Sequence, residues 1–325
     1  MDEISEIRRF DENQMIKCPK CRRASPPNRA KCLYCGASLP LKAENLLLRK
    51  KRKIENWEKA FNLVFIDLES NFDETKLKDL SKLADLKEEE LRQVLFERKA
   101  LPIARVESAE EASALKDKME TFGVKVTVIS DESLLTGRVP RRLRRIEFIE
   151  DTAIFTLFNS NESIEIKSEN LLILVSGVLF KRRIEFIEER KKKANKIKES
   201  FETDEDEILI DIYASQDNIG YRLTTSGFDF SMLGAEKEKL AHKNIPKLIK
   251  RFCEFAPHII LVNNYEKIRY FLNNIWHVEE QKNSLGLRRK SFGGYQLINE
   301  TYASNLEQFT RYSRLQFLLN CMRNL

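Results

Sequence analysis

The chain has 325 residues, 42% apolar and 33% charged, with 57 Lys and Arg against 51 Asp and Glu for a net charge of +6. So large a charged share argues against one big core and for several small domains with charged connections. No apolar run reaches the roughly 18 residues of a membrane helix, and Met1-Asp2-Glu3 opens no signal-peptide core, so no membrane insertion and a reducing, cytoplasmic location are expected.

The charge is uneven. Residues 1–60 carry 15 Lys and Arg against 8 Asp and Glu, and residues 138–200 carry 15 against 10. Such stretches can meet phosphate, although a solvated lysine face is their commoner use.

Residues 1–14 read as a polar tail or short helix. Residues 15–40 follow, with Cys18 and Cys21, then ten residues, then Cys32 and Cys35. In a reducing compartment this Cys-x-x-Cys pairing points to metal rather than disulfides. Four thiolates at knuckle spacing form a closed tetrahedral set, so one structural zinc per chain in a zinc ribbon is expected, with no open position for catalysis. Iron in a rubredoxin-like site uses the same ligands and is the rival. Pro19 stiffens the first knuckle, and Gly36 gives the second its permissive φ; Arg22 stands in the equivalent place of the first. Arg22, Arg23, Arg29 and Lys31 are the candidate nucleic-acid contacts. Tyr34 is the one aromatic in the ribbon, so no base-stacking platform is evident and a structural or protein-docking role is preferred.

Residues 41–60, free of Gly and Pro, read as a helical linker carrying the solvated run Arg49–Lys53. Residues 61–131 read as β-α-α-β-α-β. "FNLVFIDL" is the first strand, Leu77, Leu80 and Leu83 mark a helix, and Asp85 is the candidate N-cap of the next, whose Leu91, Val94 and Leu95 face inward. "LPIARV" is a strand, Ser108 and Glu111 form a capping box, and Ala112, Leu115, Met119 and Phe122 are the buried side of the helix behind it. Gly123 stops that helix before "VKVTV".

With "LADLKEEELRQVL" followed by "LPIARVESAEEASALKDKMETFGVKVTVI", this segment resembles the C-terminal domain of the bacterial ribosomal stalk protein. The resemblance implies an α/β sandwich that docks a protein partner. That family's glycine-rich link is replaced here by Ala84-Asp85-Leu86, so its factor-binding lysines are not carried over.

Residues 138–200 read as an antiparallel β domain with a closing helix over 189–200, possessing the outline of a pleckstrin-homology sheet. "RRIEFIE" occurs at 144–150 and again at 182–188, and is read as two similar strands, with Ile146 and Phe148 on one face and Arg145, Glu147 and Ile149 on the other. "ETDEDE" (202–207) reads as a boundary. Residues 205–325 then form a C-terminal α+β domain: a hairpin across Gln216-Asp217-Asn218, a helix ending before Pro257, the strand "HIILV", a short helix over 265–273, and a last helix opened by a Ser304/Glu307 capping box. "TYASNLEQFTRYSRL" (301–315), with the ribbon, resembles bacterial zinc-ribbon proteins of no assigned activity, which implies no mechanism.

Outside the ribbon no chemistry is patterned. Cys253 and Cys321 fit apolar helix faces, His242, His258 and His277 lack ligand spacing, and Asp211, Asp217 and Asp229 are scattered. No phosphate-binding glycine motif is present. The expected whole is a multi-domain α+β protein, non-enzymatic, acting as a protein–protein adaptor. The alternatives are a nucleic-acid-associated factor using the ribbon and the basic stretches 49–53 and 138–145, and an enzyme with its site in residues 205–325.

Overall fold

The computed structural model describes residues 10–27, 29, 31–40, 54–190, 195–278, 280–289 and 295–323. They form a mixed α+β architecture with several sheets, divided into two compact units, Met1–Asp131 and Glu132–Leu325.

The first unit holds the ribbon hairpin β1 (Ile16–Lys17) and β2 (Ala24–Ser25), and a three-stranded sheet with helices. The latter runs β3 (Phe61–Leu68), α1 (Leu77–Ala84), α2 (Glu88–Phe96), β4 (Pro102–Val106), α3 (Ala109–Glu120) and β5 (Val124–Ser130), the expected order. β3 lies centrally and pairs antiparallel with β4 and β5. Leu63, Val64 and Phe65 are fully buried, and Leu80, Leu91, Leu95, Leu115 and Met119 are buried too. Each such side chain contributes about 1.5–3 kcal/mol of transfer free energy. Ser108 Oγ caps α3 by accepting from the Glu111 N–H at 3.2 Å. Gly123 takes φ +84° beyond its end.

Two details of this unit differ from expectation. Asp85 does not cap α2. It closes α1 in the left-handed region at φ +61°, with its N–H on the Ser81 carbonyl, and Lys87 stands at the N-cap of α2. A short Asp tolerates that region where most side chains do not. The linker helix over 41–60 falls outside the described residues as far as Lys53; Ile54–Ala60 is a turn, not a helix. The cause is Arg105, whose guanidinium draws in the carbonyls of Ile54, Glu55 and Glu58 at 2.9–3.4 Å while pairing with buried Asp131 at 2.7 Å. Asn62 in β3 completes the cluster, donating to Asp131 at 2.8 Å.

The second unit is a nine-stranded sheet with helices against both faces. Its strands are β6 (Arg141–Ile149), β7 (Thr152–Leu157), β8 (Ser163–Lys167), β9 (Leu171–Arg190), β10 (Asn195–Ala214), β11 (Asp217–Thr224), β12 (Ile260–Val262), β13 (Glu280–Arg289) and β14 (Tyr295–Ser304). Its helices are α4 (Ala241–Phe255), α5 (Tyr265–Leu272) and α6 (Leu306–Arg323). The order is β13-β14-β9-β10-β11-β6-β7-β8, with β12 also on β9. The pairs β11–β6 and β12–β9 are parallel, whereas β6–β7, β7–β8 and β9–β10, the pairs made by the strands of residues 138–200 with one another, are antiparallel.

Alternation in "ILIDIYA" sets the layers. Ile210 and Ile212 join Leu143, Phe155, Leu223, Leu248 and Phe252 in the core cluster that includes α4. Asp211 and Tyr213 point the other way, to α6, where Tyr213 stacks on Phe317 at 4.7 Å and its hydroxyl meets Ser313 at 2.9 Å. Gly177 in β9 lets α5 and α6 come close, since a Cβ there would lie 2.5 Å from the Phe309 ring and 2.8 Å from Tyr265. The two "RRIEFIE" copies fall in β6 and β9, separated in the sheet by β10 and β11. Ile146 is buried and Ile149 exposed, as the alternation predicts.

The helix expected over 189–200 is corrected. Outside Lys191–Ala194, which is not described, these residues are strand, and "ETDEDE" lies inside β10 rather than at a boundary. The Lys- and Glu-rich composition favours helix locally. Nearly continuous pairing of β10 with β9, from Asn195↔Arg190 to Ala214↔Leu171, overrides it. The Ser304/Glu307 box also differs: Ser304 Oγ accepts from the Leu306 N–H at 3.3 Å, and the residue between them, Asn305, ties to β9 through Phe180 and Val178.

Candidate metal centre

Each Cys-x-x-Cys turn folds alike. In the first, the Arg22 N–H donates to the Cys18 carbonyl at 2.9 Å and the Cys18 N–H to the Arg23 carbonyl at 3.0 Å. In the second, Gly36 donates to Cys32 at 3.0 Å and Cys32 to the Ala37 carbonyl at 2.8 Å. Arg22 and Gly36 occupy equivalent places, with φ of +57° and +70°. The first knuckle therefore places an arginine where glycine is favoured.

The turns face each other and bring Cys18, Cys21, Cys32 and Cys35 together, their sulfurs all within 4.8 Å of one another. Cys18 and Cys35 lie 3.5 Å apart, as do Cys21 and Cys32. A tetrahedron of sulfurs at metal bonds of about 2.3 Å has edges of about 3.8 Å, so the cluster has the size of one ion. Cys18 and Cys32 are buried with Ile16 and Leu39, and Cys21 and Ala37 pack against them. These few apolar side chains make a very small core, too little to stabilise a fold without a further constraint.

The surroundings favour thiolate at selected positions. Cys32 is lowered to about 6, first by the Ser25 hydroxyl at 3.5 Å and, against the pull of burial, by the Tyr34 N–H at 3.4 Å. The Cys21 N–H leads in lowering Cys18. At Cys21 the Arg23 N–H also lowers, but burial and the sulfurs of Cys32, Cys35 and Cys18 outweigh it and push the thiol up to about 12. Close thiolates repel, and a dication among them removes that conflict. The donor set thus fits a metal ion.

Arg22, Arg23, Arg29 and Lys31 all expose their side chains. Arg23 covers the Tyr34 ring at 5.0 Å, and Leu33 and Tyr34 are themselves 52% and 57% exposed. Of the other basic stretches, 49–53 lies outside the described residues. In 138–145 the arginines are engaged within the fold: Arg141 with Asp217 at 2.9 Å, Arg142 over Phe158 at 3.9 Å, Arg144 with Asn161 at 2.8 Å and Arg145 with Glu147 at 3.2 Å.

The remaining candidates have structural partners. Asp211 is fully buried and forked by Arg222 at 2.6 and 2.7 Å, with Thr310 on the same guanidinium at 2.9 Å. Asp229 caps Ser231. Cys253 packs on the α4 core, and burial raises the Cys321 thiol. Sequence reasoning missed Ser25 as a donor to Cys32 and Arg105 as an anchor, and no local motif marks either. The fold and site together define a mixed α+β protein with a four-cysteine cluster at metal-binding distance. No protein-family model matches the chain, nor does any curated protein or solved structure.

Proposed function

We propose that the chain is a non-enzymatic, zinc-binding adaptor, a cytoplasmic protein whose ribbon docks a protein partner. The observation that carries the reading is the four-sulfur cluster with an exposed apolar tip, Leu33-Tyr34, between two of its ligands. Four thiolates suit zinc in a closed structural site, which stiffens a surface rather than supplying a reaction. The stalk-like order of residues 61–131 is in keeping with a second docking module. Purified protein is expected to hold about one zinc per chain. Changing Cys32 and Cys35 to Ser should abolish zinc and unfold the ribbon while residues 61–325 stay folded; a ribbon that remains folded without metal refutes the reading.

A second reading rests on the exposed cations. Residues 10–40 carry six Lys and Arg against two acids. A nucleic-acid-associated factor would use Arg22, Arg23, Arg29 and Lys31 against phosphate, with Tyr34 as a lone stacking surface. Its mark is binding to generic RNA or DNA that weakens steeply with salt; no binding at about 50 mM salt excludes it.

A further inference from the structure

Above the core of the second unit, β9 and β10 run on past α5, and a cavity of about 430 Å³ opens between them and the helix. It lies at the small end of the range for sites that hold small organic ligands, roughly 300–1,000 Å³. Phe180 and Tyr270 give it apolar walls, and Tyr270 is 74% exposed at the rim.

Most of its polar groups are already committed. Asn305 bonds Phe180 and Val178, and Gln308 bonds Tyr265 and Trp276. Arg182 pairs with Asp204 at 3.2 Å and Glu202 at 3.1 Å. Two charges of opposite sign are left. Arg269, on α5, has its guanidinium 5.1 Å from the centre of the Tyr270 ring and donates to the Tyr270 hydroxyl at 3.2 Å; its Nε is buried without a hydrogen-bond partner, and among the described residues no acid pairs with it. Asp206, on β10, is likewise without a cationic partner among the described residues. They line the same cavity and do not pair with each other.

A half-buried guanidinium kept from any acid is costly unless something anionic meets it, and its fork matches a carboxylate. A carboxylate across the same cavity selects for a cation at the other end of the molecule. We propose that this cavity binds a small zwitterion, a free α-amino acid with an apolar side chain, its carboxylate on Arg269, its ammonium on Asp206 and its side chain against Phe180 and Tyr270. This goes beyond the adaptor reading and does not depend on the metal centre.

The test is calorimetric titration of the full-length zinc-loaded protein with L-phenylalanine and L-leucine, beside 3-phenylpropionate, which lacks the ammonium, and phenethylamine, which lacks the carboxylate. At least one amino acid should bind, and each single-charge analogue should bind at least about tenfold more weakly, since a charge-assisted hydrogen bond is lost. Arg269→Gln and Asp206→Asn should each reduce binding by a similar factor with the thermal unfolding midpoint unchanged. Both side chains are partly solvent-facing, so the variants should fold. No binding of either amino acid at millimolar concentration, equal binding of an analogue, or binding that survives both substitutions would overturn the proposal. Because residues 10–40 are untouched, zinc content reports separately on the adaptor reading.

Discussion

Removing one partner of the buried pair Asp211–Arg222 should be the most damaging polar substitution in the second unit. The pair bridges β10 and β11 in direct register, and Arg222 also reaches Thr310 on α6. Asp211 is fully buried and Arg222 nearly so. In Asp211→Ala the guanidinium stays in place without its counter-charge, a loss of about 3–5 kcal/mol for such pairs. Thr310 and the Phe309 ring, 5.4 Å from the guanidinium, retain part of its environment, so the low end is expected. That is about 3 kcal/mol, or a midpoint lower by roughly 10 °C for a unit of this size. Urea unfolding followed by tryptophan emission reads this unit, because Trp276 is buried and Trp57, the other tryptophan, is 76% exposed. Replacing both partners, Asp211→Leu with Arg222→Met, should recover stability to within about 1 kcal/mol of wild type, since the desolvated charge goes as well. A loss below about 1 kcal/mol in Asp211→Ala would refute the claim that burial makes this pair costly to break.

Two further outcomes are expected. Arg22→Gly should tighten zinc binding by the ribbon by about 1 kcal/mol, and Gly36→Ala should weaken it similarly, because both positions are left-handed and a Cβ at Gly36 meets only open space; chelator competition reads both. Glu207→Gln should flatten stability against pH: burial works to raise the Glu207 carboxyl, but Ser226 and Lys181 outweigh it, so its folded value lies below its unfolded one. The stabilisation is present above an unfolded value of about 4.3 and is lost as pH falls through the folded value, so the gap between wild type and variant should close in acid; a gap independent of pH refutes it.

The ribbon was legible because its information is local. Cys-x-x-Cys fixes a turn, and a second copy supplies the other half of the cluster. The β-α-α-β-α-β segment was legible because its apolar period switches cleanly between helix and strand. The outer halves of β9 and β10 were not. "NKIKESFETDEDE" (195–207) offers helix-forming residues without a two-residue alternation, and its strand form comes from a partner in sequence order rather than from itself. The same reason hides the cavity charges: Arg269 and Asp206 stand on a helix and a strand that meet only in three dimensions.

Charge counts mislead in this chain for a further physical reason. Turns leave carbonyls that neither helix nor strand satisfies, and a buried one needs a donor. Arginine offers five donors on a rigid plane. Arg105 takes the carbonyls of Ile54, Glu55 and Glu58 in the first unit, and Arg314, 1% exposed, takes those of Leu134, Leu135 and Arg138 in the second. Arg222 is spent on Asp211, and the arginines at 141, 142, 144 and 145 on partners within their own unit. Arg105, Arg222 and Arg314 are thus internal fasteners, while Arg141, Arg144 and Arg145 stay exposed, each with a partner in its own unit. Among the described residues of the stretches first singled out, the ribbon keeps exposed cations beside an exposed aromatic. A nucleic-acid reading centred on the ribbon predicts that charge reversal at Arg22 and Arg23 removes such binding, whereas charge reversal at Arg141 and Arg144, which costs the contacts to Asp217 and Asn161, should lower stability first.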